Sequence, residues 1–236
     1  KFFWPLLWYD VPLGYDPGIY RFLFLRYSDA LTSFGMPHLE PWAREHSPAL
    51  FVLATPFVAL FGVDALIGWI WNLMPVLVAV ILAATSYRRF GLPVGILTLG
   101  AALLSETLYD GFAGMYWKAF AALCTLLLAF DAFDRSQRRW YIYAFLTLVL
   151  HTQTGLILVL SAGAWWLLHL REGLKNRFWK EMTVLGVVLG AAAILVYLPQ
   201  WDRAIWSPLK SIFLLRGDEA PGGAFPPTLF YVQTMA

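Results

Sequence analysis

Between Arg139 and Arg171 the chain runs from Trp140 to Leu170 without a charged side chain. As one helix this run would be about 46 Å long, against a bilayer core of ~30 Å. Both of its flanks are basic, and the positive-inside rule places both on the cytoplasmic side. A single crossing cannot satisfy that, but a helical hairpin can, with HTQTG (residues 151–155) as its tip. Each arm is short for a full crossing. The tip must therefore be buried in protein or line a wet cavity, because hydrocarbon cannot satisfy its backbone.

The same rule orders the rest of the chain. Arg88 with Arg89, the group Arg135, Arg138 and Arg139, and the group Arg171, Lys175, Arg177 and Lys180 mark three cytoplasmic loops. Spans are then predicted over 64–87, 91–108, 113–130 and 182–199, with ETLYDG as a short outer turn. The segment 48–62 is amphipathic or buried, and GIYRFLFLRYSDAL forms an interfacial helix with aromatics and arginines at headgroup level. Composition agrees with a lipid solvent. Of 236 residues, 60% are hydrophobic and 14% charged, where soluble domains carry about 25% charged residues. The fold class expected is all-α, a polytopic transmembrane helix bundle whose first outer loop contains interfacial helices.

One transmembrane domain is expected over 1–236, as a piece of a longer protein. Residues 1–9 are the end of a first helix, 10–63 an outer loop, 64–200 the membrane spans and 201–236 an outer segment. The lone Cys124 sits in an apolar run as a packing residue.

This topology sorts the acids. Asp16, Glu45, Glu106 and Asp110 fall on the outer face, together with Arg21, Arg203 and other bases. Asp16 and Asp110 each lie in a short turn beside a glycine and next to an apolar helix. They either cap the helices that follow or share a hard divalent cation, Mg²⁺ or Mn²⁺, which would also hold a phosphate. His151 is either a core histidine bonded to a neighbouring hydroxyl or carbonyl, or a phosphate or sugar contact at the cavity wall. Lys118 either snorkels outward or neutralises a bound phosphate. Glu45 is either solvated or faces an acceptor, and Arg203 either pairs with Asp202 or joins a pyrophosphate clamp. There is no phosphate loop, dinucleotide fingerprint, nucleophile elbow or cysteine–histidine metal run. No basic stripe supports nucleic-acid binding.

The order of these features carries a resemblance. An Asp16–Pro17 turn is followed by Tyr20–Arg21, then by SPALFVLATPFVALFG. A span ending in two arginines and the outer turn LYDG with Tyr109 and Asp110 come next. Over roughly residues 10–200 this resembles the membrane half of the GT-C glycosyltransferases, closest to the oligosaccharyltransferase catalytic subunit. The position two after Asp110 holds Phe112 where the family has an acid, which leaves Glu106, one turn back, to substitute or the metal to be absent.

The resemblance implies a multi-pass plasma- or inner-membrane enzyme with its site on the non-cytoplasmic side. It would move a sugar from a polyprenyl-phosphate or -pyrophosphate donor to an acceptor. Asp16 would act as general base or bind a cation, and Asp110 would complete the site. Arg21 is placed in the family's first-loop motif. Lys118, Arg203 or another base would offset charge on the departing phosphate. The alternative is a multi-pass transporter or lipid-binding membrane protein without transferase activity, whose polar groups line a path.

Overall fold

The computed structural model describes residues 17–40, 43, 46–113, 116–168, 176–192 and 194. The chain divides into a unit of residues 1–192 and a second of 193–236. Every element below belongs to the first.

The described residues are all-helical, without strands. The helices are α1 (Pro17–Thr32), α2 (Ala49–Phe61), α3 (Val63–Ala65), α4 (Met74–Phe90), α5 (Leu92–Leu104), α6 (Glu106–Ala113), α7 (Trp117–Asp134), α8 (Trp140–Leu150), α9 (Thr152–Leu168) and α10 (Asn176–Ala192). A π turn at Leu66–Ile70 and a 3₁₀ turn at Trp71–Leu73 join α3 to α4. Among the described residues, the continuous stretch Val63–Phe90 is long and apolar enough to cross a membrane. The pair α5–α6, bent by 44°, is a second candidate if it is counted as one span.

Helix α1 is amphipathic, with a buried stripe of Tyr20, Leu23, Phe24 and Tyr27 at the i, i+3, i+4, i+7 spacing of a core-facing helix. GIYRFLFLRYSDAL is thus a helix, and it packs one face into the protein. That face meets an aromatic core. Tyr20 lies 4.7 Å from the Trp117 ring, Phe24 lies 5.1 Å edge-on to Phe51, and Trp71 stacks on Trp117 at 5.8 Å and 9°. Aromatic pairs add ~0.5–1.5 kcal/mol each beyond their area burial. The change of helical pitch at 66–73 sets where Trp71 sits. Asn72 stabilises the break by donating its Nδ2–H to the Gly68 carbonyl at 2.6 Å.

Helices α4 and α5 form a tight hairpin. Gly91 sits at φ 87°, a conformation that glycine adopts without strain. Gly95 lets the helices close, because a Cβ there would stand 2.7 Å from Tyr87 Cβ. The expected span 91–108 and outer turn ETLYDG resolve differently. α5 stops at Leu104, and Ser105 accepts the Leu108 N–H on its hydroxyl at 3.3 Å, a side-chain N-cap. ETLYDG is helical within α6. Phe112 on α6 packs with Val78, Ile81, Phe120 and Cys124 in a second cluster, where Cys124 is the packing residue expected.

Ion pairs fix the helix directions. Arg88 donates to Asp131 at 2.9 Å and Arg89 pairs with Asp134 at 3.0 Å, so α4 and α7 end together. Asp131 also takes Arg135 at 3.4 Å. We call this the arginine end. α7 closes on a Schellman turn, with Ser136 at φ 56° and the Gln137 N–H on the Ala132 carbonyl at 2.9 Å. α8 then returns towards the start of α7. Phe133 near the arginine end touches both Trp140, first in α8, at 5.3 Å and Trp165, late in α9, at 4.9 Å. The run 140–170 therefore folds back on itself. The turn is the single extended residue His151, inside the expected tip, while 152–155 already belong to α9. The expected span 182–199 starts earlier, within α10, and lies outside the described residues beyond 192 apart from 194.

Candidate functional site

The end opposite the arginines gathers the start of α7, the turn at His151 and the segment before α2. Ser47 donates its hydroxyl to the Val149 carbonyl at 2.7 Å, which ties that segment to the end of α8. Lys118 stands at the second residue of α7. It is half-buried over the rings of Phe51 (5.2 Å) and Tyr20 (5.9 Å), a cation–π seat. Its Nζ is 3.0 Å from His46 Nδ1. Lys118 and His151, expected as phosphate contacts, stand at the same end of the unit, since their chain neighbours Trp117 and Leu150 pack in one core cluster. The lysine projects from the side of α7 that carries Trp117 and Ala121 into the aromatic core.

Proton positions follow from the partners. An ammonium only donates, so His46 Nδ1 accepts from Lys118, and the neutral ring carries its proton on Nε2. A backbone N–H also only donates. Thr154 N lies 3.4 Å from His151 Nδ1 and Thr154 Oγ1 lies 2.9 Å from it, so this ring too is protonated on Nε2. His151 is therefore the cap of α9 as well as a site residue. The expected bond to a neighbouring hydroxyl is the one to Thr154.

The described polar groups gathered at this end are one ammonium and two imidazoles. Among the described residues no carboxylate pairs with Lys118. A cation at a helix N-terminus adds to the positive end of the helix dipole, so the potential here favours an anion. The aromatic walls lower the local dielectric and strengthen that preference.

The other expected site residues fall elsewhere. Arg21 donates to Asp64 at 2.8 and 3.3 Å. This exposed pair joins α1 to α3 at the rim, one residue from Tyr20. Asp64 holds the guanidinium in its charged form by hydrogen bond and charge. Asp110 lies inside α6, exposed, with the exposed Glu106 one turn back. It does not cap α7, whose N-cap is Tyr116. The two carboxylates sit at the same junction as Lys118, since Tyr116 N–H bonds the Gly111 carbonyl at 2.9 Å. Their helix packs on the Phe120 side of α7 rather than the Lys118 side. No group of three or more His, Cys, Asp or Glu able to hold a metal occurs among the described residues. Asp16, Glu45 and Arg203 lie outside the described residues.

His46 is the site residue that pattern reasoning passed over as one more polar residue of the outer loop. Its signal was its position: it stands directly before Ser47–Pro48, where the loop re-enters an apolar helix. No protein-family model, no curated protein and no solved structure matches the chain.

Proposed function

We propose that this chain is a polytopic membrane glycosyltransferase of GT-C type. It transfers a sugar from a polyprenyl-phosphate-linked donor to an acceptor at the non-cytoplasmic membrane face. The observation that carries the reading is the cluster at the start of α7, where Lys118 is seated over the Phe51 and Tyr20 rings beside His46, at the end remote from the arginines. With the arginine end in the cytoplasm, that cluster lies at the far headgroup level, where a lipid-linked phosphate would sit.

The apolar surface supports the membrane placement. On α5, Leu92, Ile96, Leu97 and Leu104 are 61–80% exposed, and on α9 Leu156, Ile157, Leu160, Leu167 and Leu168 are 52–83% exposed. Apolar patches of this kind are costly in water and ordinary against lipid. Tail carbons of the donor would lie along such helices.

In the reaction the nucleophilic atom of the acceptor attacks the anomeric carbon, the carbon–oxygen bond to phosphate breaks, and the acceptor proton passes to a base. Asp16, directly before α1, is that base in this reading. The ammonium of Lys118 and the Nε2–H groups of His46 and His151 stabilise the negative charge that grows on the departing phosphate. Glu106 and Asp110, with Asp16, are the carboxylates that would hold a divalent cation, which would polarise the acceptor.

The test is binding and turnover of a radiolabelled polyprenyl-phosphate sugar by the purified chain in its full-length context. Asp16→Asn is expected to abolish transfer with binding retained, and normal turnover by it would end the catalytic assignment. Chelator sensitivity would show that a cation polarises the acceptor.

The break at Ser105 and the short α8–α9 hairpin favour a second reading as a transporter, since interrupted helices there line a path. Vectorial uptake of a solute by proteoliposomes, without transfer from the labelled donor, would establish it.

A further inference from the structure

A second recess lies at the other end of the unit. Ala129 and Phe133 of α7, Trp140 of α8, and Leu158, Ala162 and Trp165 of α9 enclose a cavity of about 150 Å³. An apolar cavity of that size takes up a benzene-sized guest. The space exists because small residues sit among large ones. Ala129 and Ala162 line it together with the Phe133 ring, which is held edge-on between Trp140 (80°) and Trp165 (88°). Of its lining residues Trp165 is 37% exposed, and Leu167 and Leu168, next along α9, are exposed apolar residues.

Basic groups stand above this recess. Arg135 follows Phe133 by two residues, and Arg139 immediately precedes Trp140. All three of Arg135, Arg138 and Arg139 are exposed. Arg135 is engaged by Asp131 at 3.4 Å and Arg139 by the Gln137 side chain at 2.7 Å. Arg138 has no partner among the described residues. An aromatic-lined slot below an arginine cluster complements one chemistry, an acyl chain carrying a phosphate at its head.

We propose that the slot between α7, α8 and α9 holds a segment of an acyl chain of an anionic phospholipid of the cytoplasmic leaflet, with its phosphate on Arg138 and Arg139. This inference rests on the membrane placement proposed above and is independent of the transferase assignment. The bound lipid would fill the space between α7 and the α8–α9 hairpin. It would thereby hold the hairpin whose tip presents His151 at the opposite end.

The experiment is native mass spectrometry of the full chain released from nanodiscs of phosphatidylglycerol, of phosphatidylcholine, or of the mixture, after alkaline extraction has shown that the chain is membrane-integrated. The wild type is expected to retain one phosphatidylglycerol in preference to phosphatidylcholine. The double variant Arg138→Gln/Arg139→Gln is expected to lose that preference, by roughly fivefold per arginine. Ala162→Phe fills the slot and is expected to cut retention of both lipids by about tenfold. Trp165→Ala opens the slot and serves as a second variant should Ala162→Phe fail to fold by circular dichroism; it too is expected to lower retention.

Equal retention of the two lipids by the wild type would overturn the proposal. So would undiminished phosphatidylglycerol on folded slot variants, displacement by oleate at equal concentration, or a second copy of the chain in place of lipid. Lipid retention with no donor binding would remove the transferase reading alone, whereas donor binding without lipid retention would remove only this one. A chain extracted at alkaline pH would remove both.

Discussion

The two ends of the α4–α7 pair handle charge in opposite ways. At the arginine end, Arg88, Arg89 and Arg135 face Asp131 and Asp134, so cations meet anions within the described fold. At the other end, Lys118 is half-buried against two aromatic rings and an imidazole. Charge met by its opposite inside the protein holds helices in register. At the lysine end the described contacts of the cation are ring faces and an imidazole rather than a carboxylate.

The largest expected effect breaks the lysine end. Lys118→Met should weaken binding of a labelled polyprenyl phosphate by about 10–100-fold, since hydrogen bonds to charged groups contribute ~1.5–3 kcal/mol. Helicity should remain unchanged. Unaltered affinity would take Lys118 out of the anion site.

Gly95→Ala strikes the α4–α5 hairpin near the arginine end, where the added Cβ would meet Tyr87 Cβ at 2.7 Å. Overpacking of that kind should cost about 1–3 kcal/mol in thermal unfolding, with donor affinity retained. A variant as stable as the wild type would show that the helices do not approach so closely.

Asp131→Asn tests the self-neutralised charge directly. Arg88 and Arg135 lose the carboxylate charge they share and one of its two acceptor oxygens, and stability should fall by ~1–2 kcal/mol. Protease should cut sooner around residues 134–139, again with donor affinity unchanged. Weaker donor binding would mean that the ends are coupled.

The roles of His151 can be separated. His151→Ala removes the cap of α9 and should cost about 1 kcal/mol. His151→Asn restores a cap but not the Nε2–H. It should recover stability in the unfolding scan while donor affinity stays several-fold low. Recovery of both would leave His151 a capping residue only.

Arg21→Gln should give the smallest effect. Both partners of the Arg21–Asp64 pair are well exposed, at 51% and 76%, and such pairs contribute little. The unfolding midpoint should stay within error. A clear drop would move the rim pair into the site.

Much of the secondary structure was legible because it rests on local signals. The end of α4 follows from Arg88 and Arg89, and the turn at His151 from an uncharged run bracketed by arginines. The break at Ser105 was harder to see, because LTLGAALLSETLYDG is apolar on both sides of one capping serine. Lys118 and His151 stood out as polar groups in apolar runs. That they stand at one end of the unit with His46 did not show, since the three are far apart along the chain and no periodicity links them.

The residues by themselves determined an all-helical chain with basic clusters at one set of helix junctions, because propensity, apolar runs and charge spacing are properties of short segments. Only the tertiary structure decided which charges meet. Packing of α1 and α2 onto the first turn of α7 places Lys118 over two rings and beside His46. It also turns Asp110 to another side of the same helix junction. Contact between distant segments depends on how side-chain volumes interlock in three dimensions, and that information is not contained in any one stretch of sequence.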